Sequence, residues 1–317
     1  MQTIDHQVFE ACGHWLAAGQ QVWLCTIVRT VGSSPRPVGS LLACNADREQ
    51  VGSLSGGCVE DDLLERIRAG ELALSRPQII EYGVTPEENE RLGLPCGGRL
   101  QVLVEQLSGK PEVQAQMETL LAALEQRQCQ LRHVDLQTGE SRLEPVANFQ
   151  TLQMSEAQVS QCFGPRMWML LVGAGQLAQA LSELALAMDY EVLVTDPRAE
   201  LLSRWPGPAV QLVGGMPDDA VREYATDRHS IIITLTHDPR IDDMALMEAL
   251  TTEAWYVGAL GSARTTEKRL TRLRALDLSE AQIDKLHAPV GLPIGSKTPV
   301  EITIAIMAQL TQLRRQS

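Results

Sequence analysis

Apolar residues recur at helical spacing near the start of the chain, where Val8, Ala11, Trp15 and Ala18 share one face and Gly19 ends the pattern. A β-type run over 22–28 follows, so the chain opens as a helix and then a strand. Short apolar runs predict further strands over 40–44, 78–82 and 100–105, with a helix over 59–69. Val113, Met117, Leu120, Leu121 and Leu124 mark an amphipathic helix. Thr138-Gly139 between the runs 131–136 and 141–146 marks a hairpin. Past Phe163-Gly164-Pro165 the pattern becomes an alternation of strands and helices, with apolar runs at 167–172, 192–195, 210–213, 231–235 and 256–260. The expected fold class is α/β: a mixed α/β amino-terminal domain over 1–162, then a Rossmann-like, doubly wound parallel-sheet domain over 166–317.

Composition narrows the partners. A chain of 317 residues with 44% hydrophobic and 21% charged content fills two ordinary cores. Its net charge of −13, without a concentrated basic stripe, excludes nucleic acid as a partner. The opening MQTIDHQVFE lacks a basic start and an apolar segment, and the most apolar run, 168–172, is too short to span a bilayer, so a cytoplasmic protein with no membrane contact is expected. Seven cysteines with no C-x-x-C pair fit neither a disulfide framework nor a zinc site, and reduced thiols are expected.

Candidate chemistry in the second domain starts at Gly173-Ala174-Gly175, which follows an apolar strand and opens a helix. There backbone amides approach a pyrophosphate at the positive helix end. Ala178 stands where a third glycine is usual. Asp196 ends the next strand at the spacing of an acid that accepts from a ribose diol, and Arg198 beside it leaves room for a phosphorylated ribose. NAD and NADP both stay open, as does a frame kept for folding alone. His237, in Thr236-His237-Asp238 at the carboxyl end of the sheet, is a polar site candidate. The alternative there is that Asp238 or Asp242 caps the next helix and His237 packs beside it. Gly258 to Arg264 offers amides and a cation, or simple capping. Thr298, Pro299 and Glu301 read as a capping box with proline at the first helical position, and Lys297 before them is placed to meet a phosphate.

In the first domain, 32–39 packs Ser33, Ser34, Arg36 and turn formers into a loop suited to an oxyanion. Residues 52–60 bring Gly56 and Gly57 to Cys58 at a helix start, where the dipole favours thiolate, while Glu60, Asp61 and Asp62 oppose a second negative charge. Cys96, Gly97, Gly98 and Arg99 repeat the pairing of cysteine with two glycines before a strand. A buried inert thiol is the alternative reading of either cysteine.

Taken together, Ser33 to Gly39, Ser55 to Glu60, Cys96-Gly97-Gly98, Gly173-Ala174-Gly175, Tyr256 to Arg264 and Ala288 through Glu301 resemble the XdhC/CoxI family. The resemblance implies a two-domain accessory protein that binds the molybdopterin form of the molybdenum cofactor as cargo. It implies protection of that cofactor, support of its sulfuration, and insertion into xanthine dehydrogenase or a related molybdenum hydroxylase. Implied partners are that enzyme, a cysteine desulfurase and a second copy in a homodimer. Arg36, Arg99 and the amide-rich loops suit the cofactor's phosphate and pterin; Cys58 and Cys96 suit its soft metal. The rival readings are an NAD(P)-dependent oxidoreductase built on the second domain, and a sulfur carrier with a persulfide on Cys58.

Overall fold

The structure, a computed structural model, describes residues 4–32, 34, 36–72, 75–92 and 98–316. The chain divides into two compact units, Met1–Pro165 and Arg166–Ser317. The first contains α1 (Ile4–Ala17), β1 (Val22–Val31), β2 (Leu41–Asn45), β3 (Gln50–Gly52), α2 (Cys58–Arg68), β4 (Gln78–Tyr82), α3 (Pro86–Arg91), β5 (Arg99–Leu107), α4 (Pro111–Glu125), β6 (Cys129–Asp135), β7 (Ser141–Val146), β8 (Gln153–Met154) and β9 (Gln158–Phe163).

Five of these strands form a sheet in the order β3-β2-β1-β5-β4, and four form a second in the order β7-β6-β9-β8. The two-residue strand period sorts the core by face. Trp23, Cys25 and Ile27 of β1 pack with Val59, Leu63 and Ile67 of α2, whereas Val22 and Leu24 pack with α1 and α4 through Phe9, Trp15, Met117 and Leu120. The sheets are joined by a buried bidentate pair, in which Arg132 of β6 donates to both carboxylate oxygens of Glu105 on β5 at 2.9 and 2.7 Å. Ala18 lies past the end of α1 and is exposed. Strand β9 escapes the hydrophobic pattern because polar residues interrupt it. Ser160 is nevertheless buried, its hydroxyl 2.8 Å from Nδ1 of His133 on β6.

The second unit contains β10 (Trp168–Val172), α5 (Gln176–Ala187), β11 (Glu191–Thr195), α6 (Ala199–Ser203), β12 (Gln211–Val213), α7 (Pro217–Tyr224), β13 (Ser230–Thr234), α8 (Pro239–Ala249), β14 (Tyr256–Ala259), α9 (Ala263–Ala275), α10 (Glu280–Ile283), β15 (Leu286–His287) and α11 (Pro299–Gln316). All six strands pair in parallel, in the order β12-β11-β10-β13-β14-β15. Counted within the unit this is the dinucleotide-fold order, with the direction of winding reversing at β10. Met169 and Leu171 face α5 and α11, and Leu170 and Val172 face α7 and α8, so β10 is apolar throughout because it is covered on both sides.

No helix among the described residues is long and apolar enough to cross a membrane. Among those residues Cys12, Cys25, Cys44, Cys129 and Cys162 are buried and unbridged, and Cys58 is exposed. Burial pushes the Cys12 thiol up to about 12, the behaviour of an inert core thiol.

Candidate functional site

The described parts of the candidate loops of the first unit lie toward one end of the five-stranded sheet. Val31, the last residue of β1, pairs with Arg99, the first of β5. The loop after β1 folds back so that the Gly39 N–H donates to the Ile27 carbonyl at 2.8 Å, and the loop after β3 begins with the Ser53 N–H donating to the Leu41 carbonyl at 2.9 Å. Gly52 is required at that junction, since a Cβ there would lie 2.2 Å from the Leu41 oxygen. Residues near Arg36, Cys58 and Arg99 are thus brought to one edge by strand order. Ser33, Cys96 and Gly97 lie outside the described residues.

Within this end, Glu60 organises the loop before α2. It is the third residue past the N-cap Gly57 and is 3% exposed. Its Oε1 accepts the backbone N–H groups of Leu54, Ser55 and Gly56 at 2.8, 2.9 and 3.1 Å, together with the Ser53 hydroxyl at 2.9 Å. Oε2 accepts the Gly57 N–H at 3.1 Å and the Ser55 hydroxyl. Burial alone would raise this carboxyl. The Ser55 hydroxyl and the amides of Ser55, Leu54 and Gly56 outweigh it and hold Glu60 far below the usual carboxylate range.

This corrects the reading of Gly56 and Gly57 as amide donors to a ligand, because their N–H groups point at Glu60. It also changes the part expected of Glu60: its negative charge is held by the N–H and hydroxyl donors of the loop. The loop is a scaffold that holds Cys58 exposed at the first position of α2. Ser34 donates its hydroxyl to the Arg36 carbonyl at 2.8 Å, so that hydroxyl serves the loop itself. Arg36 is half-buried, and its Nε has no hydrogen-bond partner among the described residues. Gly98 is buried and Arg99 exposed. No group of three or more His, Cys, Asp or Glu is placed to hold a metal ion among the described residues.

In the second unit the glycine turn sits at the reversal of strand order. Gly173 has φ of 115°, and a Cβ there would lie 2.8 Å from Cγ2 of Thr236. Its place is dictated by packing against the β13–α8 turn. Gly173→Ala is expected to lower stability by about 1–3 kcal/mol through backbone strain and this contact; denaturant titration checks it, and a change below about 0.5 kcal/mol, the range of a neutral surface substitution, would refute it. Gly175 is the N-cap of α5, and a Cβ there would meet no atom within 4 Å.

Asp196 departs from the expected ribose acceptor. It is 0% exposed, and its oxygens accept the Ala174 N–H at 2.9 Å, the Arg198 N–H at 3.0 Å, and Arg198 Nε and Nη2 at 2.8 and 2.7 Å. Burial pushes its carboxyl up, but Arg198 and these amides leave it below the usual range. A carboxylate has about four lone-pair sites, and four donors already occupy them.

Farther along the edge, Asp238 caps α8, accepting from Arg240 N–H at 3.0 Å, while His237 is exposed rather than packed beside the helix. Lys297 is also exposed. Its N–H and that of Thr298 donate to Glu301 at 2.7 and 2.9 Å, and the Glu301 N–H donates to the Thr298 hydroxyl at 3.3 Å, closing the expected capping box of α11.

Three features escaped the sequence reading. The first is the Glu60 knot, foreshadowed only by an acid three residues past a glycine N-cap. The second is a buried ion-pair network: Arg269 of α9 donates to Asp242 at 2.9 Å and to the Leu260 carbonyl at 3.0 Å, and Arg272 pairs with Asp243. The third is a thiol pair, in which a hydrogen bond from Cys129 on β6 pulls Cys162 on β9 down to about 7, against burial.

Similarity to known proteins follows the same division. Residues 15–83 match the family model described as "XdhC and CoxI family", and residues 169–310 match "XdhC Rossmann domain". The chain is 26% identical to a probable xanthine dehydrogenase subunit of Bacillus subtilis, covering 94% of each. It is also 26% identical to "Molybdenum cofactor insertion chaperone PaoD" of Escherichia coli, covering 98% of this chain and 90% of that protein. A crystal structure described as a xanthine dehydrogenase from Bacillus halodurans superposes with a TM-score of 0.73 at 25% identity, over 98% of this chain and 96% of that one. Both units match models of the same family in the expected order, and the chain belongs to the XdhC/CoxI family.

Proposed function

We propose that this protein is an accessory chaperone that binds molybdenum cofactor as cargo, protects it, supports its sulfuration and inserts it into xanthine dehydrogenase or a related molybdenum hydroxylase. The observation that carries this reading is the end-to-end similarity to a molybdenum cofactor insertion chaperone. The first unit supplies a chemically suitable place: Cys58 exposed on a loop braced by Glu60, with Arg36 and Arg99 at the same sheet end. A soft thiolate suits the cargo's metal, and guanidinium suits its phosphate. Cys96 belongs to the proposal as a second sulfur ligand. The partners are the recipient molybdoenzyme, a cysteine desulfurase and a second copy of the chain, and the Rossmann unit takes a nucleotide such as NAD or NADP. The oxidoreductase reading is not favoured, since the relatives that span the chain are named for cofactor insertion and for a xanthine dehydrogenase subunit.

The test is anaerobic transfer of molybdenum cofactor from a donor protein, followed by gel filtration and assay of molybdenum and oxidised pterin. Near-stoichiometric retention by the wild type and a loss of about tenfold or more for Cys58→Ala are expected, corresponding to one lost ligand contact of about 1.4 kcal/mol. Equal retention by the two proteins, with the variant folded, would remove Cys58 from the site; no retention by either would remove the chaperone reading.

A further inference from the structure

Two cysteines of the four-stranded sheet stand side by side on the face turned away from the five-stranded one. Strand alternation places them there. Arg132 of β6 reaches Glu105, and Val159 of β9 packs with Val28 and Leu103, so Cys129 and Cys162, each three residues away, point to the opposite face. Leu131 pairs with Cys162 across β6 and β9, and the two cysteines share one small cluster with Leu131 and Val146. A Cβ added to Gly164 would lie 2.9 Å from the Cys129 Sγ and 3.5 Å from Phe149, so a glycine leaves room for the thiol. Phe149, beside it, is itself 61% exposed.

A second pair of the same kind behaves differently. Cys25 and Cys44 are also hydrogen-bonded neighbours on paired strands, but they lie in the core against α2, where the Cys44 bond and burial push the Cys25 thiol well up. For Cys162 the balance reverses: the bond from Cys129, with the Gln150 amide, outweighs burial and pulls the thiol below its ordinary value. As a thiol, Cys162 donates only a long bond to the Phe163 carbonyl, 3.9 Å. As a thiolate it accepts from Cys129 and Gln150. A thiolate with a thiol beside it supplies the nucleophile and the resolving partner of a disulfide-forming site.

We propose that Cys129 and Cys162 are a modification site, a dithiol that hydrogen peroxide converts to an intramolecular disulfide. The Cys162 thiolate attacks one peroxide oxygen, the O–O bond breaks, and the departing hydroxide takes the proton that Cys162 released and leaves as water, which makes a sulfenic acid on Cys162. The Cys129 sulfur then displaces that hydroxyl, which leaves with the Cys129 proton as a second water, and the S–S bond forms. Two thiols are oxidised and one peroxide is reduced. The cysteines are diagonal neighbours, with Cα atoms about 7–8 Å apart against roughly 4.4–6.8 Å for bridged pairs, so closure draws the end of β9 toward the start of β6. Both residues sit at strand ends, where Gly164 has no side chain to resist the movement. The site is independent of the cargo reading.

The test treats the reduced full-length protein with hydrogen peroxide, then denatures, alkylates and digests it for mass spectrometry. A peptide linked through Cys129 and Cys162 should form at least about tenfold faster than any link between Cys25 and Cys44, because the thiolate is the reacting species. In Cys129→Ser the sulfenic acid on Cys162 has no resolving thiol, and dimedone should trap at least about fivefold more of it than in the wild type. In Cys162→Ser, Cys129 should be recovered alkylated. Recovery of both cysteines alkylated in the wild type while Cys58 is oxidised overturns the proposal. A Cys25 to Cys44 link formed as fast, or Cys162 bridged to Cys58 instead, overturns it equally. The wild-type result decides alone if either variant fails to fold.

Discussion

Replacing Arg269 by alanine is expected to destabilise the second unit by about 3–5 kcal/mol, the range for breaking one half of a buried ion pair. Arg269 is 2% exposed and Asp242 is 1% exposed. The guanidinium donates to Asp242 at 2.9 Å and to the Leu260 carbonyl at 3.0 Å, and its Nε lies 3.6 Å from Asp243. Asp242 in turn accepts the Thr236 N–H and hydroxyl at 3.2 and 2.7 Å. One arginine therefore ties α9 to α8 and fixes the turns after β13 and β14. Burial already pushes Asp242 up to about 6, despite Thr236 and Arg269. Without the arginine this carboxyl rises further, because the Arg269 charge is one of the influences that lower it. An acid whose folded value is raised loses stability as pH rises through that value, so the defect of Arg269→Ala should be larger at pH 8 than at pH 5. Scanning calorimetry should show a fall of about 10 °C at pH 8, partly recovered in Arg269→Ala/Asp242→Asn. A drop under about 2 °C at pH 8, less than 1 kcal/mol for a unit of this size, would mean that the pair contributes little.

Glu60→Ala is the second large effect. The variant strands the N–H groups of Leu54, Ser55, Gly56 and Gly57, which all converge on one carboxylate. Hydrogen bonds to a charged group contribute about 1.5–3 kcal/mol each; because water reaches part of the opened loop, a total loss of about 3–4 kcal/mol is expected. Glu60→Gln keeps the shape but aims an NH2 group at donors, and should recover less than half of that loss. Since the folded carboxyl titrates well below its unfolded value of about 4.3, its stabilisation is complete above that pH and declines as the pH falls below it. The gap between wild type and Glu60→Gln should therefore narrow in acid. Hydrogen exchange at the four amides reads the same event locally, and unchanged protection in Glu60→Ala would contradict the geometry.

Much of the fold is legible without coordinates. The apolar run 168–172, the glycine turn and the periodic helix after it identify β10 and α5, because a strand covered on both faces must be apolar at every position. The capping box at Thr298 and Glu301 is equally local, since all its bonds fall within one helical turn. Family membership was also readable, from short motifs kept in order along the chain.

What the sequence could not decide is where each polar group spends its bonds. Gly56, Gly57 and Asp196 carry the right chemistry at the right spacing for a ligand, yet the amides turn to Glu60 and the carboxylate to Arg198 and Ala174. Arg269 reads as one more basic residue on a polar helix until α9 packs on α8 and buries it against Asp242. Local pattern determines which elements form, because propensity, capping and burial period act over a few residues. Only tertiary packing selects the partners of a buried charge or amide, because desolvation makes every such group take whichever donor or acceptor the fold brings within reach.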